Sequence, residues 1–309
     1  MKTKMRRYQK DEDYELIRGF LRKVLLINDR QQLSWDVARF DYWRWHGVLN
    51  MKDGTLETDV FLWETDAGEL AAVLNREAPG SVFLQIHPSI NSRELELEML
   101  SVAEKHLTVE AKDGRRSLHV WVESGDSRFR ETVESCGYER CTGRKSEHQR
   151  RRIIAEPIAP VAPADGYLIR PLGGNDEHSA RCWVSFRAFH PNDPEENFED
   201  GWYHNVQKAP LYRRDLDLVA EAPNGEIAAF CTIWFDDCTE TGLFEPVGTA
   251  PEYQRLRLGK AILTEGLIRL RNLGAALAYV QSYTESAHGL YESVGFRTYR
   301  ILEPWSKSV

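Results

Sequence analysis

The stretch from Val247 to Ala261 concentrates residue types that hold an anion, with Arg255, Arg257 and Lys260 set around Gly259 between a β-rich run and an amphipathic helical pattern. At a strand-to-helix turn the first amides of the helix lack intrahelical acceptors and point outward with the positive end of the helix dipole. The segment therefore predicts a phosphate-binding turn. Just upstream, Glu245 alternates with Val247 and Thr249, which the two-residue strand period places on one face. A carboxylate aimed into a cleft there is a candidate general base, with Asp236 and Asp237 as further candidates near a hairpin end; the alternative for Glu245 is a salt-bridged strand residue beside Pro246. Cys231 on the preceding strand has no histidine in its local pattern and reads as a packed thiol, not a nucleophile.

The elements that must position these residues follow from periodicity. Tyr167–Arg170 reads as a strand, and Asp176 to Phe189 has helical spacing after a polar start. Strands at Asp217–Glu221 and Ile227–Phe235 flank Ala222-Pro223-Asn224-Gly225, whose Pro and Asn-Gly pair supply hairpin torsions. Gly242 to Thr249 is a fourth strand, and Lys260 to Asn272 repeats Ile262/Leu263, Leu267 and Leu270 on one helical face before stopping at Gly274. Ala276–Gln281 is a fifth strand, and Ala287–Val294 a last helix ended by Gly295-Phe296.

The first half repeats this order. Val60–Glu64 and Leu70–Asn75 flank Asp66-Ala67-Gly68, and Val82–Ile86 is the fourth strand. His87-Pro88 takes the place of Ala250-Pro251, a helix runs from about Glu94 to Leu107, Leu118–Glu123 is the fifth strand, and Phe129–Cys136 leads to Gly137-Tyr138. Such self-similarity predicts a duplication. Between the halves, residues 148–165 open with Arg150-Arg151-Arg152 and carry Pro157, Pro160 and Pro163 among small residues, the composition of an extended linker. The expected division is a domain over 1–147, this linker over 148–165, and a domain over 166–309.

Gln254, Arg257 and Gly259, opening a helix after a strand, together with Tyr291 four residues before Gly295-Phe296, resemble the signature of the GCN5-related N-acetyltransferases (GNAT). The family's usual loop reads Q/R-x-x-G-x-G/A, and Thr249 to Tyr253 ahead of it is also similar. The likeness covers Gly166 to about Tyr299 well and the first half only in outline. It implies an α/β fold of the α+β kind, two tandem domains each with a twisted, mostly antiparallel sheet flanked by helices.

The resemblance also implies an acetyl-CoA-dependent N-acetyltransferase with no metal, in which an amine attacks the thioester directly within a ternary complex. Carried over residue by residue, Tyr291 is the acid for the departing thiolate, and Glu245 is the candidate for the base. The backbone of Val247, Gly248 and Thr249 pairs with pantetheine; Gln254, Arg255, Leu256, Arg257, Leu258, Gly259, Lys260 and Ala261 cradle the pyrophosphate, and Thr284 and Ala287 are further cofactor contacts. For Tyr291 the alternative is a packed core tyrosine with a satisfied hydroxyl. Arg257 departs from the pattern by standing where the first motif glycine is usual. A glycine-only torsion there would impair binding, whereas ordinary helical torsions would leave its side chain free to meet a CoA phosphate. Retained binding is the expectation.

In the first half the corresponding loop, Pro88 to Glu98, has no glycine and three carboxylates, and Val133 stands where the second half has Tyr291. That half is expected to be a degenerate, non-catalytic domain. Its aromatic set of Trp35, Phe40, Tyr42, Trp43 and Trp45 reads as core or inter-domain packing, with a wall of the acceptor pocket as the alternative. The acidic run from His190 to Tyr203 lies where the family's acceptor site is bordered; it predicts a small-molecule amine acceptor, cationic and packed by Trp202 or Tyr203, or else a solvated loop. Other readings of the chain are a non-catalytic acyl-CoA-binding or scaffold protein and a protein N-acetyltransferase.

Composition sets the outer bounds. With 309 residues, 42% hydrophobic and 28% charged, the chain has room for two ordinary domains. A net charge of -8 argues against broad nucleic-acid binding, and the absence of an apolar run near ~20 residues, with a charged N-terminus, predicts a cytoplasmic protein without a membrane segment. Five cysteines without paired spacing favour neither disulfides nor zinc.

Overall fold

The computed structural model describes residues 2–50, 54–110 and 114–309. It divides into two compact units: Met1–Trp43 with Met51–Gln149 and Arg300–Val309, and Arg44–Asn50 with Arg150–Tyr299. Among the described residues no helix is long and apolar enough to cross a membrane.

The chain runs through β1 (Thr3–Arg7), α1 (Asp11–Ile27), α2 (Val37–Tyr42), α3 (Leu56–Asp59), β2 (Val60–Thr65), β3 (Leu70–Ala78) and β4 (Ser81–Ile86). It continues as α4 (Arg93–His106), β5 (Val109–Glu110), β6 (Arg116–Glu123), α5 (Ser127–Ser135), β7 (Glu139–Arg140) and β8 (Glu147–Ile153). The later elements are β9 (Leu168–Pro171), α6 (His178–Phe189), β10 (Asp217–Glu221), β11 (Ile227–Asp236), β12 (Thr241–Thr249), α7 (Leu258–Asn272), β13 (Leu277–Ser282), α8 (Glu285–Ser293) and β14 (Arg297–Ser308).

In the first unit the strand order is β1-β2-β3-β4-β6-β14; in the second it is β13-β12-β11-β10-β9. Neighbours are antiparallel except β4 with β6 and β12 with β13. Helix α7 lays Ala261, Ile262, Leu263, Leu267 and Leu270 into a core shared with Ile233, Phe244, Val280 and Phe296, as its 3.6-residue spacing requires. In the first unit, Leu95, Met99, Leu100 and Ala103 of α4 do the same against Phe61, Leu74 and Val120. The turn between β10 and β11 places Gly225 at φ 85°, a torsion that glycine adopts without steric cost.

The parallel pairs hold at one end only. Thr241–Leu243 of β12 pair with Leu277–Tyr279 of β13, after which the two strands part. In the first unit Ser81 and Val82 of β4 pair with His119 and Val120 of β6, and the strands part beyond them. Each unit thus opens a wedge in its own sheet, bounded by the helix that follows β12 or β4.

Two segments depart from the expected boundaries. The arginine-rich stretch expected to begin a linker is strand β8, whose last residues fall in the second unit. The C-terminal strand β14 belongs largely to the first unit, because Leu302–Ser308 pair antiparallel with Ser117–Glu123 of β6.

Candidate active site

The wedge of the second unit exposes backbone. The Ala250 amide donates to the Ala228 carbonyl at 3.1 Å, and Gly248 stands opposite Phe230, so alternate residues of β12 bond to β11. Val247 and Thr249 therefore direct their own N–H and C=O groups to the other edge, where β13 has parted. Gly248 is fixed by packing, since a Cβ there would meet the Phe230 ring edge at 2.6 Å and Ala188 at 3.0 Å.

Glu245 lies at an irregularity. The register shifts between Cys231 and Ile233, setting Glu245 and Pro246 together opposite Thr232, so the alternation expected from Glu245 through Thr249 is broken. Bulges of this kind re-aim a side chain at a strand edge. Glu245 remains close enough to Tyr291 for its charge to act on the phenol. Asp236 sits at the closed end of the wedge opposite Thr241 and accepts from Thr239 Oγ1 at 2.7 Å, with Asp237 next to it in the turn. Neither runner-up for the base reaches the open end.

Tyr291, on α8, is 6% exposed and packs in the core beside Cys231, Val294 and Phe296. Its hydroxyl makes no hydrogen bond to another described residue. Burial pushes its pKa up, the neighbouring Cys231 and Glu245 add to that, and Arg150 opposes them, so the phenol holds its proton firmly. Burial likewise raises the Cys231 thiol well above its ordinary range, in keeping with a packing role.

At the mouth of the wedge, Arg257 is the N-cap of α7 and no side chain caps that helix. The first-turn amides of Leu258, Gly259 and Lys260 thus face out of the helix end. Arg255, Arg257 and Lys260 have no ion pair or hydrogen-bonded side chain among the described residues. Arg257 does not take the ordinary helical torsions considered above; it lies at φ 63° and ψ 9°, with Arg255 also left-handed at φ 64°. This is the left-handed well that a non-glycine residue enters at a cost of about 1–2 kcal/mol, so the loop keeps a glycine-like path without its glycine.

Gly259 is needed for contact inside the unit: a Cβ would stand 3.2 Å from Leu290 of α8 and 3.7 Å from Thr249 Oγ1. Gln254 donates to the Thr249 carbonyl at 3.4 Å, tying the loop to β12. Leu256 packs partly against the core, and Leu258 and Ala261 are buried in it. Thr284 caps α8 by accepting from the Ala287 amide at 3.3 Å, so these two expected cofactor contacts spend those groups on each other.

On the α6 side, Trp202 is half-buried and its indole donates to the Glu199 carbonyl at 2.8 Å. Tyr203 is buried and bonds Asp217 and Thr232 through its hydroxyl, which removes it from the surface it was expected to offer an acceptor. The acidic residues from Asp193 to Asp200 are exposed. Of the aromatic set, Trp35, Phe40 and Trp43 are core residues of the first unit, and the segment from Arg44 onward belongs to the second. No local pattern marks that segment beyond the aromatic run itself.

The first unit's wedge has the opposite character at its helix end. Ser92 caps α4 by accepting from the Leu95 amide at 3.3 Å, and Glu94 and Glu96 occupy the first turn. The cleft, about 120 Å³, is lined by Trp121, Phe129 and Arg300 together with the carboxylates Glu96, Glu123 and Asp126. Val133 is fully buried.

Residues 181–296 match the acetyltransferase (GNAT) family. The mycothiol acetyltransferase of Streptomyces scabiei is 27% identical over 205 residues, a stretch that covers 61% of this chain and 61% of that protein. The match thus spans less than two thirds of that relative's length. A GCN5-related N-acetyltransferase from Sphaerobacter thermophilus superposes with a TM-score of 0.68 at 17% identity, over 99% of this chain and 95% of the other. A tandem GNAT protein from the clavulanic acid biosynthesis pathway does so with a TM-score of 0.65 at 14% identity, over 99% and 98%. At those identities the two structures speak for the fold, a tandem pair of GNAT units.

Proposed function

We propose, from the premise that residues 181–296 place the chain in the acetyltransferase (GNAT) family, that it is an acetyl-CoA-dependent N-acetyltransferase acting on a primary amine of a small molecule. The observation that carries this reading is the convergence at one wedge of an uncapped helix end, three cations with no ion pair among the described residues and a buried tyrosine. The first unit, with a capped helix end and a valine in place of the tyrosine, is non-catalytic in this reading.

The α7 amides with Arg255, Arg257 and Lys260 suit the pyrophosphate, because outward amides and unpaired cations are the complement of a diphosphate. The open edges of Val247 and Thr249 suit the pantetheine amides by strand-like pairing. Acetyl-CoA, when bound, supplies a thioester carbon whose C–S bond breaks as the amine nitrogen bonds to it. Glu245 takes the proton released from that nitrogen, directly or through a water. Tyr291 gives its proton to the sulfur that leaves, and its raised pKa keeps it protonated until then. The curated relative bears a small molecule in its name, which favours a small amine over a peptide.

Calorimetry with acetyl-CoA and a thiol-release assay over an amine panel test the reading. Binding together with amine-dependent thiol release is expected, while no heat at millimolar acetyl-CoA overturns it.

A further inference from the structure

Arg181, on α6, is fully buried. Its guanidinium lies between two aromatic faces, 3.7 Å from the Phe230 ring centre and 4.5 Å from that of Tyr203. Stacking of this kind leaves only the in-plane N–H edges for hydrogen bonding. One of these, at Nη2, reaches Thr232 Oγ1 at 3.4 Å; Nε and Nη1 have no acceptor among the described residues. Nor does a carboxylate among the described residues pair with it. Asp217, one hydroxyl away, is occupied by Tyr203, by Tyr212 at 2.8 Å and by Thr232 at 3.2 Å. A buried cation with neither a counter-ion nor filled donors is costly, and the aromatic faces offset only part of that cost.

The surroundings add a neutral imidazole. Thr232 is the residue opposite the bulge at Glu245 and Pro246, so its hydroxyl ties Arg181 to the strand position that faces the bulge. The Arg44–Asn50 segment, which the first half of the chain contributes to this unit, brings His46 within range of the Arg181 charge. His46 stacks on Trp202 with ring centres 4.8 Å apart, and the segment is pinned by Asn50, which donates to the Trp202 carbonyl at 3.2 Å and accepts from Asn205 at 3.3 Å. The Asn50 amide nitrogen also donates to the His46 carbonyl at 2.7 Å and lies 3.2 Å from His46 Nδ1. Burial and the Arg181 charge hold the His46 pKa down to about 4, so the ring is neutral near pH 7. It adds no second cation.

We infer that Arg181 anchors a carboxylate-type oxyanion carried by the amine acceptor. The inference rests on the proposed acetyl transfer and narrows its substrate class to amines that bear an acid. The exposed acidic run from Asp193 to Asp200 suits the ammonium of such a molecule, and Arg181 suits its carboxylate. A zwitterion satisfies both features, which a simple cationic amine does not.

Matched probes test this on the intact chain: β-alanine against propylamine, and lysine against cadaverine, each with acetyl-CoA. The wild type is expected to favour the carboxylate-bearing member of a pair at least tenfold in kcat/KM. Arg181→Gln is expected to erase the preference through KM for the amine, with acetyl-CoA affinity by calorimetry unchanged. Arg181→Lys, which keeps the charge but loses the fork, is expected to retain part of it. Equal or better turnover of propylamine and cadaverine by the wild type overturns the inference while leaving acetyl transfer standing. If no probe is turned over, thermal stabilisation by the carboxylate-bearing members alone still supports an oxyanion site, and its absence overturns that too.

Discussion

Tyr291 joins a buried ring to a hydroxyl that makes no hydrogen bond to another described residue, so its removal separates chemistry from stability. Tyr291→Phe is expected to lower turnover by about 10²–10⁴-fold, the usual worth of general acid assistance, with the unfolding midpoint nearly unchanged. Steady-state kinetics and a thermal melt on the same preparation decide it; undiminished turnover removes Tyr291 as the acid. Arg257 presents the reverse case, a residue whose backbone works against folding. Arg257→Gly relieves the left-handed torsion at φ 63° and, after the flexibility glycine adds to the unfolded chain, is expected to leave stability equal or raised by about 1 kcal/mol. Acetyl-CoA affinity should fall and become less sensitive to salt as a cation leaves the loop, which calorimetry at two ionic strengths measures. His46 supplies a titration check. Its pKa is depressed from 6.5 to about 4, so the unfolded chain binds the proton first as pH falls. The neutral ring contributes stability that is fully present above about 6.5 and is lost as pH falls through about 4. An NMR titration should place the midpoint near the lower value, and His46→Asn should flatten the stability profile across that window.

At the scale of elements, α7 and α4 follow equivalent strands and end in opposite ways toward their wedges: one is uncapped among cations, the other closed by Ser92 amid carboxylates. Ser92→Ala is expected to cost about 1 kcal/mol in stability, as N-cap losses do, with no change in kcat for the amine. A denaturant melt and the thiol assay together check this, and a loss of turnover would give the first unit a part in catalysis. Elements with strong periodicity were legible from the residues alone: β10 spans the expected Asp217–Glu221, and α7 exceeds the expected Lys260–Asn272 by only two residues at its start. Strand β8 was not legible, because Arg150 and Arg152 look like solvent-facing charges. Both are buried, Arg150 bonding Ser282 at 2.9 Å and Glu292 at 3.0 Å, and Arg152 the carbonyls of Val294 and Pro157. Burial settled by partners far along the chain leaves no local pattern. The same holds at the site: Gln254, Gly259 and Tyr291 announce themselves by spacing, whereas Arg181 and His46 acquire meaning only through Thr232, Trp202 and the bulge at Glu245.

Over the whole molecule, the two units are interlaced in sequence, with residues 44–50 given to the second and 300–309 to the first. A cut at 165 would therefore not yield two complete units. The chain from 166 to 309 lacks Arg150, whose bonds to Ser282 and Glu292 brace β13 and α8, and lacks His46 and Asn50. Expressed alone, it is expected to melt well below the full chain and to lose amine turnover, as calorimetry and the thiol assay would show. Truncation after Tyr299 is expected to unfold the first unit, since Leu302 and Trp305 leave its core and β6 loses a neighbour. Loss of near-ultraviolet signal from Trp35 and Trp63 alongside a retained second transition is the predicted signature.

Strand β14 also sets a timetable. A ribosome releases the residues that pair with Ser117–Glu123 only after the segments of the second unit have been made, so the unit begun first is completed after its neighbour. Until then one edge of β6 waits with unmatched amides and carbonyls, the kind of edge to which a neighbouring nascent chain can add itself. For this protein the interval between the emergence of β6 and the arrival of residues 300–309 is the period of greatest exposure to misassembly, and translation speed across residues 150–299 becomes a determinant of yield.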